Sequence, residues 1–294
     1  MKFLKSFTAA IYMIFFGISS VLSVLSIYVA FAISWLIPIR WWRYRLMKIA
    51  QQIPVIWASS INVILYINTR KKWDIQGTVP LSTKNWYMLI SNHQTWADIP
   101  ALGYVFNYKT PTMKFFMKKE LLWSLPIVGL GCWILGYPFM VRHSREDIRK
   151  NPELRGKDID TTKSACNKFK EYPTTIMNFI EGTRFTEQKR QRRHSPYKHL
   201  LSPKAGGLAI VINEMKDYLA GILDVTIEYS EPKMTFWKLV TGNFQKATVI
   251  YRLLPITDDL LGEYYENREF RKHFQQWLNG IWEQKDHQLD ILKQ

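Results

Sequence analysis

The run Asn92-His93-Gln94-Thr95-Trp96-Ala97-Asp98 sets an imidazole and a carboxylate five residues apart, directly after a short apolar stretch, Trp86–Ile90. Imidazole is the side chain best suited to moving a proton near neutral pH, and a carboxylate that fixes its tautomer and orientation makes it a competent general base. Five residues advance an ideal helix by about 500°, which would leave the two side chains roughly 140° apart. One continuous helix therefore does not bring them together, and part of the segment must be loop. The expected arrangement is His93 at the carboxyl end of a strand and Asp98 in the first turn of a helix that carries Pro100 early in its course. By itself H-x4-D is a weak pattern, because a surface loop closed by an aspartate N-cap has the same letters.

A second group follows another apolar run: Glu181-Gly182-Thr183-Arg184 comes after Thr175–Ile180. In open α/β sheets ligands collect outside the carboxyl ends of strands, so this loop and the His93 loop can converge on one crevice. Gly182 would allow close backbone approach, and Arg184 offers a planar fork suited to phosphate; a plain turn with a solvated arginine is the competing reading. Arg142 closes a further run, Pro138–Arg142, and Lys204 precedes Gly206-Gly207 at the opening of a helix whose amino terminus would favour an anion. The other histidines, His143, His194, His199, His273 and His287, form no metal-ligand spacing, so no metal is expected. Cys132 and Cys166 give no disulfide framework.

The elements that would position these groups form an α/β pattern. Apolar runs at Trp86–Ile90, Pro138–Arg142, Thr175–Ile180, Ile222–Tyr229 and Ala247–Leu254 read as strands of a mixed, largely parallel sheet. Helices are expected between and after them at Ile99–Phe106, Lys119–Leu125, Asp158–Tyr172, Gly206–Met215 and Asn267–Asp286. In the last of these Phe270, Phe274, Trp277, Ile281 and Trp282 share a face, which suits a core and would also suit a bilayer surface.

Ahead of residue 71 the composition is different. No charge occurs between Lys5 and Arg40, and as one straight helix that stretch would run to about 50 Å, against a hydrocarbon core of about 30 Å. A membrane-embedded helical segment over residues 1–70 is expected, with the catalytic domain over 71–294. The segment must tilt, break near Gly17, Ser19 and Ser20, or fold back on a second uncharged run from Gln51 to Asn68. A cleavable signal peptide ending at Ala30-Phe31-Ala32 is the alternative, although the apolar run is longer than the usual h-region of about 7–15 residues. Arg40, Arg43, Arg45 and Lys48 outnumber Lys2 and Lys5, which favours a cytoplasmic location for all that follows.

The whole chain carries a formal charge of +16, from 40 Lys and Arg against 24 Asp and Glu, so an anionic partner is implied. The 12 Trp, 15 Tyr and 16 Phe favour a phospholipid membrane over nucleic acid, since amphipathic rings prefer the headgroup level. The basic patch Lys189-Arg190-Gln191-Arg192-Arg193 reads either as a solvated loop or as a contact with an anionic surface.

Taken in order, these blocks resemble the glycerolipid acyltransferase family. Its first block, N-H-x4-D, stands as Asn92 to Asp98, and its third, E-G-T-R, as Glu181 to Arg184. Lys118-Lys119-Glu120-Leu121 through Pro126 and Gly129 is similar to the second block, Phe139 to Arg142 to the strand block between, and Leu223 to Ile227 to the last. Two departures, Ile180 in place of the usual Pro and the Pro-less Asp224-Val225-Thr226, are similar to a lysocardiolipin-acyltransferase-like branch. The resemblance implies transfer of a fatty acyl group from acyl-CoA or acyl carrier protein to the free hydroxyl of a lysophospholipid acceptor, with no cofactor beyond the thioester co-substrate. It implies that His93 and Asp98 are catalytic, that Arg184 holds the acceptor phosphate, that Glu181 accepts from a glycerol hydroxyl, and that Gly182, Thr183, Arg142 and Lys204 complete the binding site. The expected location is a bacterial inner membrane. A membrane-anchored nucleic-acid binder and a catalytically silent lipid-binding protein are the readings outside the enzyme class.

Overall fold

A computed structural model of the chain describes residues 2–77, 79–124, 126–140, 149–150 and 153–294. Its centre is a six-stranded sheet built from β1 (Trp73–Gln76), β2 (Trp86–Ser91), β3 (Met113–Phe115), β6 (Thr175–Asn178), β7 (Leu219–Tyr229) and β8 (Ala247–Leu254), in the order β1-β8-β7-β2-β6-β3. All neighbours run parallel except β7 and β8. β4 (Met117–Lys118) and β5 (Phe139–Met140) form a separate parallel pair. The Pro138–Arg142 run thus supplies a strand to this small sheet and not to the main one, and Arg142 itself lies outside the described residues.

β2 is central and apolar along nearly its whole length because both its faces are covered, as a parallel strand requires. Met88 and Ile90 pack with Phe169, Leu208, Phe274 and Trp282 on one face, whereas Leu89 packs with Leu65, Leu102 and Phe106 on the other. The apolar stripe of the C-terminal helix Arg268–Leu292 is therefore core: Phe274, Leu278 and Trp282 are fully buried. β1 and β3 were not expected from the sequence, being short strands of three or four residues at the sheet edges.

The N-terminal run is one unbroken helix, α1 (Lys2–Leu36), followed after Pro38 by α2 (Arg40–Ala50) and α3 (Ile53–Thr69). Ser19 and Ser20 do not break α1; their hydroxyls donate to the Phe16 carbonyl inside it. Arg43 closes the corner by donating to the Ser34 and Trp35 carbonyls, which the end of α1 leaves without helical partners. α3 returns along α1, where Trp57 Nε1 donates to Ser20 Oγ at 3.0 Å and the Trp57 ring meets Phe16. Ala10–Leu36, of mean hydropathy 2.2, and the longer stretch Arg40–Lys72, of mean hydropathy 1.2, are each long and apolar enough to cross a membrane. Packing crosses the expected boundary at residue 70, since Ile61, Ile64 and Leu65 of α3 share a core with α4 (Asp98–Phe106) and the sheet.

Candidate active site

The site is assembled at the carboxyl ends of β2, β6 and β7. Asn92, just past β2, reaches across to β7: its Oδ1 accepts from the Ile227 N–H at 2.8 Å and its Nδ2 donates to the Ile227 carbonyl at 2.9 Å. This pair of bonds replaces a strand rung and lets the chain leave the sheet without orphaning Ile227. His93 follows, its ring lying flat on Phe179 with centroids 3.9 Å apart.

His93 Nδ1 is 2.8 Å from Asp98 Oδ2. The same oxygen accepts from the backbone N–H groups of Gln94 at 2.6 Å and Thr95 at 2.9 Å. Asp98 begins α4, yet its carboxylate caps no downstream amide of that helix; it turns back to hold the loop that carries His93. The N-cap alternative is thereby excluded by geometry. Asp98 is fully buried, whereas the His93 side chain keeps 13% of its surface exposed. With Nδ1–H donated to the carboxylate, a neutral imidazole presents its lone pair at Nε2, the nitrogen suited to take a proton from an incoming hydroxyl.

Glu181 departs from expectation. Its carboxylate is fully buried and faces inward: Oε1 accepts from the His93 N–H and Oε2 from the Leu201 N–H, both at 2.9 Å. It braces the site and does not present an oxygen to a substrate hydroxyl. Burial pushes its carboxyl up to about 8; the Leu201 and His93 amides oppose that shift and the Asp98 charge adds to it. The Phe185 N–H donates to the His93 carbonyl at 2.7 Å, so the two loops that the sequence suggested would converge are bonded backbone to backbone.

The remaining residues of the second loop form a cationic rim. Gly182 adopts φ 72°, and a Cβ there would come within 3.0 Å of Lys204 Nζ. Lys204 is the N-cap residue of the helix Ala205–Met215 and bonds through its own N–H to the Ile180 carbonyl. Arg184 lays its guanidinium 4.9 Å from the centroid of Trp96, a ring that is 62% exposed. Thr183 Oγ1 accepts from Lys189 Nζ at 2.9 Å, and the same ammonium reaches the Arg184 carbonyl. Lys189 therefore belongs to the site loop, on a short helix, Glu187–Arg192, that Thr186 caps. Desolvation and then the neighbouring charges of Arg184, Arg193 and Arg192 push its ammonium down. Sequence reasoning placed Lys189 in a basic patch and gave it no role here, because the fold-back of the Thr186-capped helix is invisible in composition.

Sequence reasoning also missed Gln94, whose Nε2 donates to the Ile227 carbonyl and to Glu228, and Phe179, which seats the imidazole. Among the described residues no cluster of three or more His, Cys, Asp or Glu is arranged to hold a metal ion.

Comparison with known proteins identifies the family and the fold. The model of the acyltransferase family matches residues 72–230. The chain is similar to 1-acyl-sn-glycerol-3-phosphate acyltransferase 3 of Arabidopsis thaliana, 25% identical over 80% of this chain and 59% of that protein. It is also similar to the 2-acyl-1-lysophosphatidylinositol acyltransferase of Saccharomyces cerevisiae, 24% identical over 67% of this chain and 59% of that protein. The chain thus spans less than two thirds of the length of these relatives. Among solved structures, the 1-acyl-sn-glycerophosphate acyltransferase of Thermotoga maritima shares the fold at a TM-score of 0.54, with 18% identity and 97% and 98% of the two chains covered.

Proposed function

The chain belongs to the acyltransferase family, and on that footing we propose that it transfers a fatty acyl group from a thioester to the free hydroxyl of a lysophospholipid, 1-acyl-glycerol-3-phosphate in the first instance. The observation that carries this reading is the His93–Asp98 contact at 2.8 Å, set beside a rim of arginine and lysine side chains.

His93 Nε2 takes the hydroxyl proton as the oxygen attacks the thioester carbonyl, and Asp98 stabilises the imidazolium that forms. Collapse of the tetrahedral adduct breaks the C–S bond, and the thiolate leaves with the proton that His93 returns. A thioester is already activated, so no covalent enzyme intermediate is required. Arg184 pairs with the acceptor phosphate, with Lys189 and Lys204 adding positive field around Gly182. The acyl chain would enter an apolar cavity lined by Phe16, Ala58, Ile61, Met113, Phe115 and Ile99, the residue that follows Asp98. The donor is acyl-CoA or acyl carrier protein, used as co-substrate, and the reaction draws on no cofactor.

Membrane association accounts for surfaces that water does not suit. α1 exposes Ile14, Ile18, Leu22 and Val29, and the helix Pro126–Ile134, to which Tyr28 is hydrogen-bonded, exposes Ile127, Val128, Leu130 and Trp133. A lipid acceptor held in the same bilayer would reach the site without crossing water. The basic cluster Arg40, Arg43, Arg45 and Lys48 favours a cytoplasmic catalytic face.

The test is purified protein in detergent with labelled acyl-CoA and a panel of lysophospholipids. His93→Ala should lower turnover by about 10²–10⁴-fold with the fold intact. Near-full activity of that variant would remove the assignment, and the identity of the product fixes the acceptor.

A further inference from the structure

Asp98 has a second oxygen for which the dyad described above has no use. Oδ2 serves His93, Gln94 and Thr95, but Oδ1 is completely buried and, among the described residues, has no hydrogen-bond partner. One other polar atom in this part of the molecule is in the same state: Tyr229 Oη, at the end of β7. Tyr229 is itself 3% exposed and packs in the same core as Ala97 and Ala101, which lie on either side of Asp98 in the chain, and after burial the Asp98 charge is the strongest influence on its phenol. Neither oxygen has a hydrogen-bond partner among the described residues. Catalytic hydrogen bonds are often long in the free enzyme and tighten once substrate is bound.

A phenol buried without a partner is destabilising, and phenylalanine would fill the same volume at β7 without that cost. The hydroxyl is therefore explained by what it faces. Burial and the Asp98 and Glu228 charges hold the phenol well above its ordinary range, so it is a donor and not an anion at any working pH. Glu228, its neighbour on β7, is engaged elsewhere, accepting from Gln94 Nε2 at 3.2 Å and facing Lys293 Nζ at 3.8 Å.

We propose that Tyr229 is a positioning residue of the His93–Asp98 pair: its O–H donates to Asp98 Oδ1 and locks the carboxylate rotation that points Oδ2 at the imidazole. The proposal rests on the reading of His93 as general base for its catalytic consequence, but the contact itself is observable without turnover. By sharing the carboxylate charge, the phenol also tempers the His93 Nδ1–H···Oδ2 bond.

The experiment compares Tyr229→Phe with site-specific incorporation of 3,5-difluorotyrosine at 229, a stronger donor of nearly the same shape. Tyr229→Phe should lower kcat about tenfold, the size of one net hydrogen bond, with KM for acyl-CoA and for the lysophospholipid unchanged. The fluorinated protein should retain kcat within about twofold of wild type. The proton NMR resonance of His93 Nδ1–H, assigned by its loss in His93→Ala, should move downfield in Tyr229→Phe, where the carboxylate charge is no longer shared, and upfield in the fluorinated protein. Resonance shifts of opposite sign establish the contact. An unchanged resonance in either protein overturns it, as does a kcat loss in Tyr229→Phe without a shift, which would mark a packing role. If Tyr229→Phe does not fold, the fluorinated protein decides alone. Full activity of His93→Ala with the resonance shifts intact would remove the general-base reading and leave the Tyr229–Asp98 contact standing.

Discussion

Glu181 holds His93 by its backbone and not by its ring: Oε1 accepts the His93 N–H at 2.9 Å while Oε2 takes that of Leu201. The His93 loop is thus pinned from the end of a neighbouring strand, with two donors converging on one carboxylate. Glu181→Gln places an amide NH₂ against one of those N–H groups. The buried donor left unpaired costs about 1–3 kcal/mol. A lowered melting temperature together with a fall in kcat is expected, and calorimetry alongside the acyl-transfer assay measures both; wild-type values for each would show that the brace is dispensable.

The same carboxyl makes stability depend on pH. The folded protein holds this proton up to about 8, whereas the ordinary value is 4.5. Between those limits the native state binds the proton more tightly than the unfolded chain does, so the contribution is full below the unfolded value and is lost as pH rises through the folded one. Melting temperature should therefore fall from pH 5.5 to pH 8.5 more steeply in wild type than in Glu181→Gln, whose side chain does not titrate. Parallel curves for the two proteins would mean that the carboxylate stays charged throughout.

Asp98→Asn separates orientation from charge. The carboxamide oxygen can still accept from Gln94 and Thr95, which keeps the loop in place. What is lost is the negative charge that stabilises an imidazolium. We expect turnover to drop about 10³–10⁴-fold with little change in melting temperature, read by steady-state kinetics and thermal denaturation.

Arg184→Ala removes a guanidinium that Trp96 holds in place. A charge-assisted contact with phosphate is worth about 1.5–3 kcal/mol, so KM for a phosphate-bearing lysophospholipid should rise by about 10–150-fold while kcat changes little. An acceptor without a phosphate, such as a monoacylglycerol, should be indifferent to the change. Equal losses for both acceptors would move the phosphate site elsewhere.

Gly182→Ala tests the turn itself. At φ 72° a side chain costs about 1–2 kcal/mol, and the new Cβ would press on Lys204 Nζ at 3.0 Å. The expected outcome is a small loss of stability with a raised KM for the acceptor, as the lysine is pushed out of the rim. Gly207→Ala, where a Cβ would meet nothing within 4 Å, is the control from the adjacent helix.

Much of this molecule could be read from residue types alone. The apolar runs that became β2, β6, β7 and β8 announced a largely parallel sheet, because a strand covered on both faces must be apolar at successive positions. The Asn92–Asp98 and Glu181–Arg184 blocks are local in the chain and so kept their spacing in the sequence. The uncharged stretch after Lys5 announced α1 for the same reason.

What the letters did not carry was direction. Whether the Glu181 carboxylate faces substrate or backbone depends on where the Leu201 amide arrives, twenty residues later in the chain. Lys189 joins the site because a short helix folds back over Thr183, and Asn92 meets the Ile227 backbone because β7 lies beside β2 in the sheet. The sequence determined which groups are present and which local turns hold them. Only tertiary structure decided which way the buried polar atoms point, since each must find its partner in a segment distant along the chain or bear the desolvation cost alone.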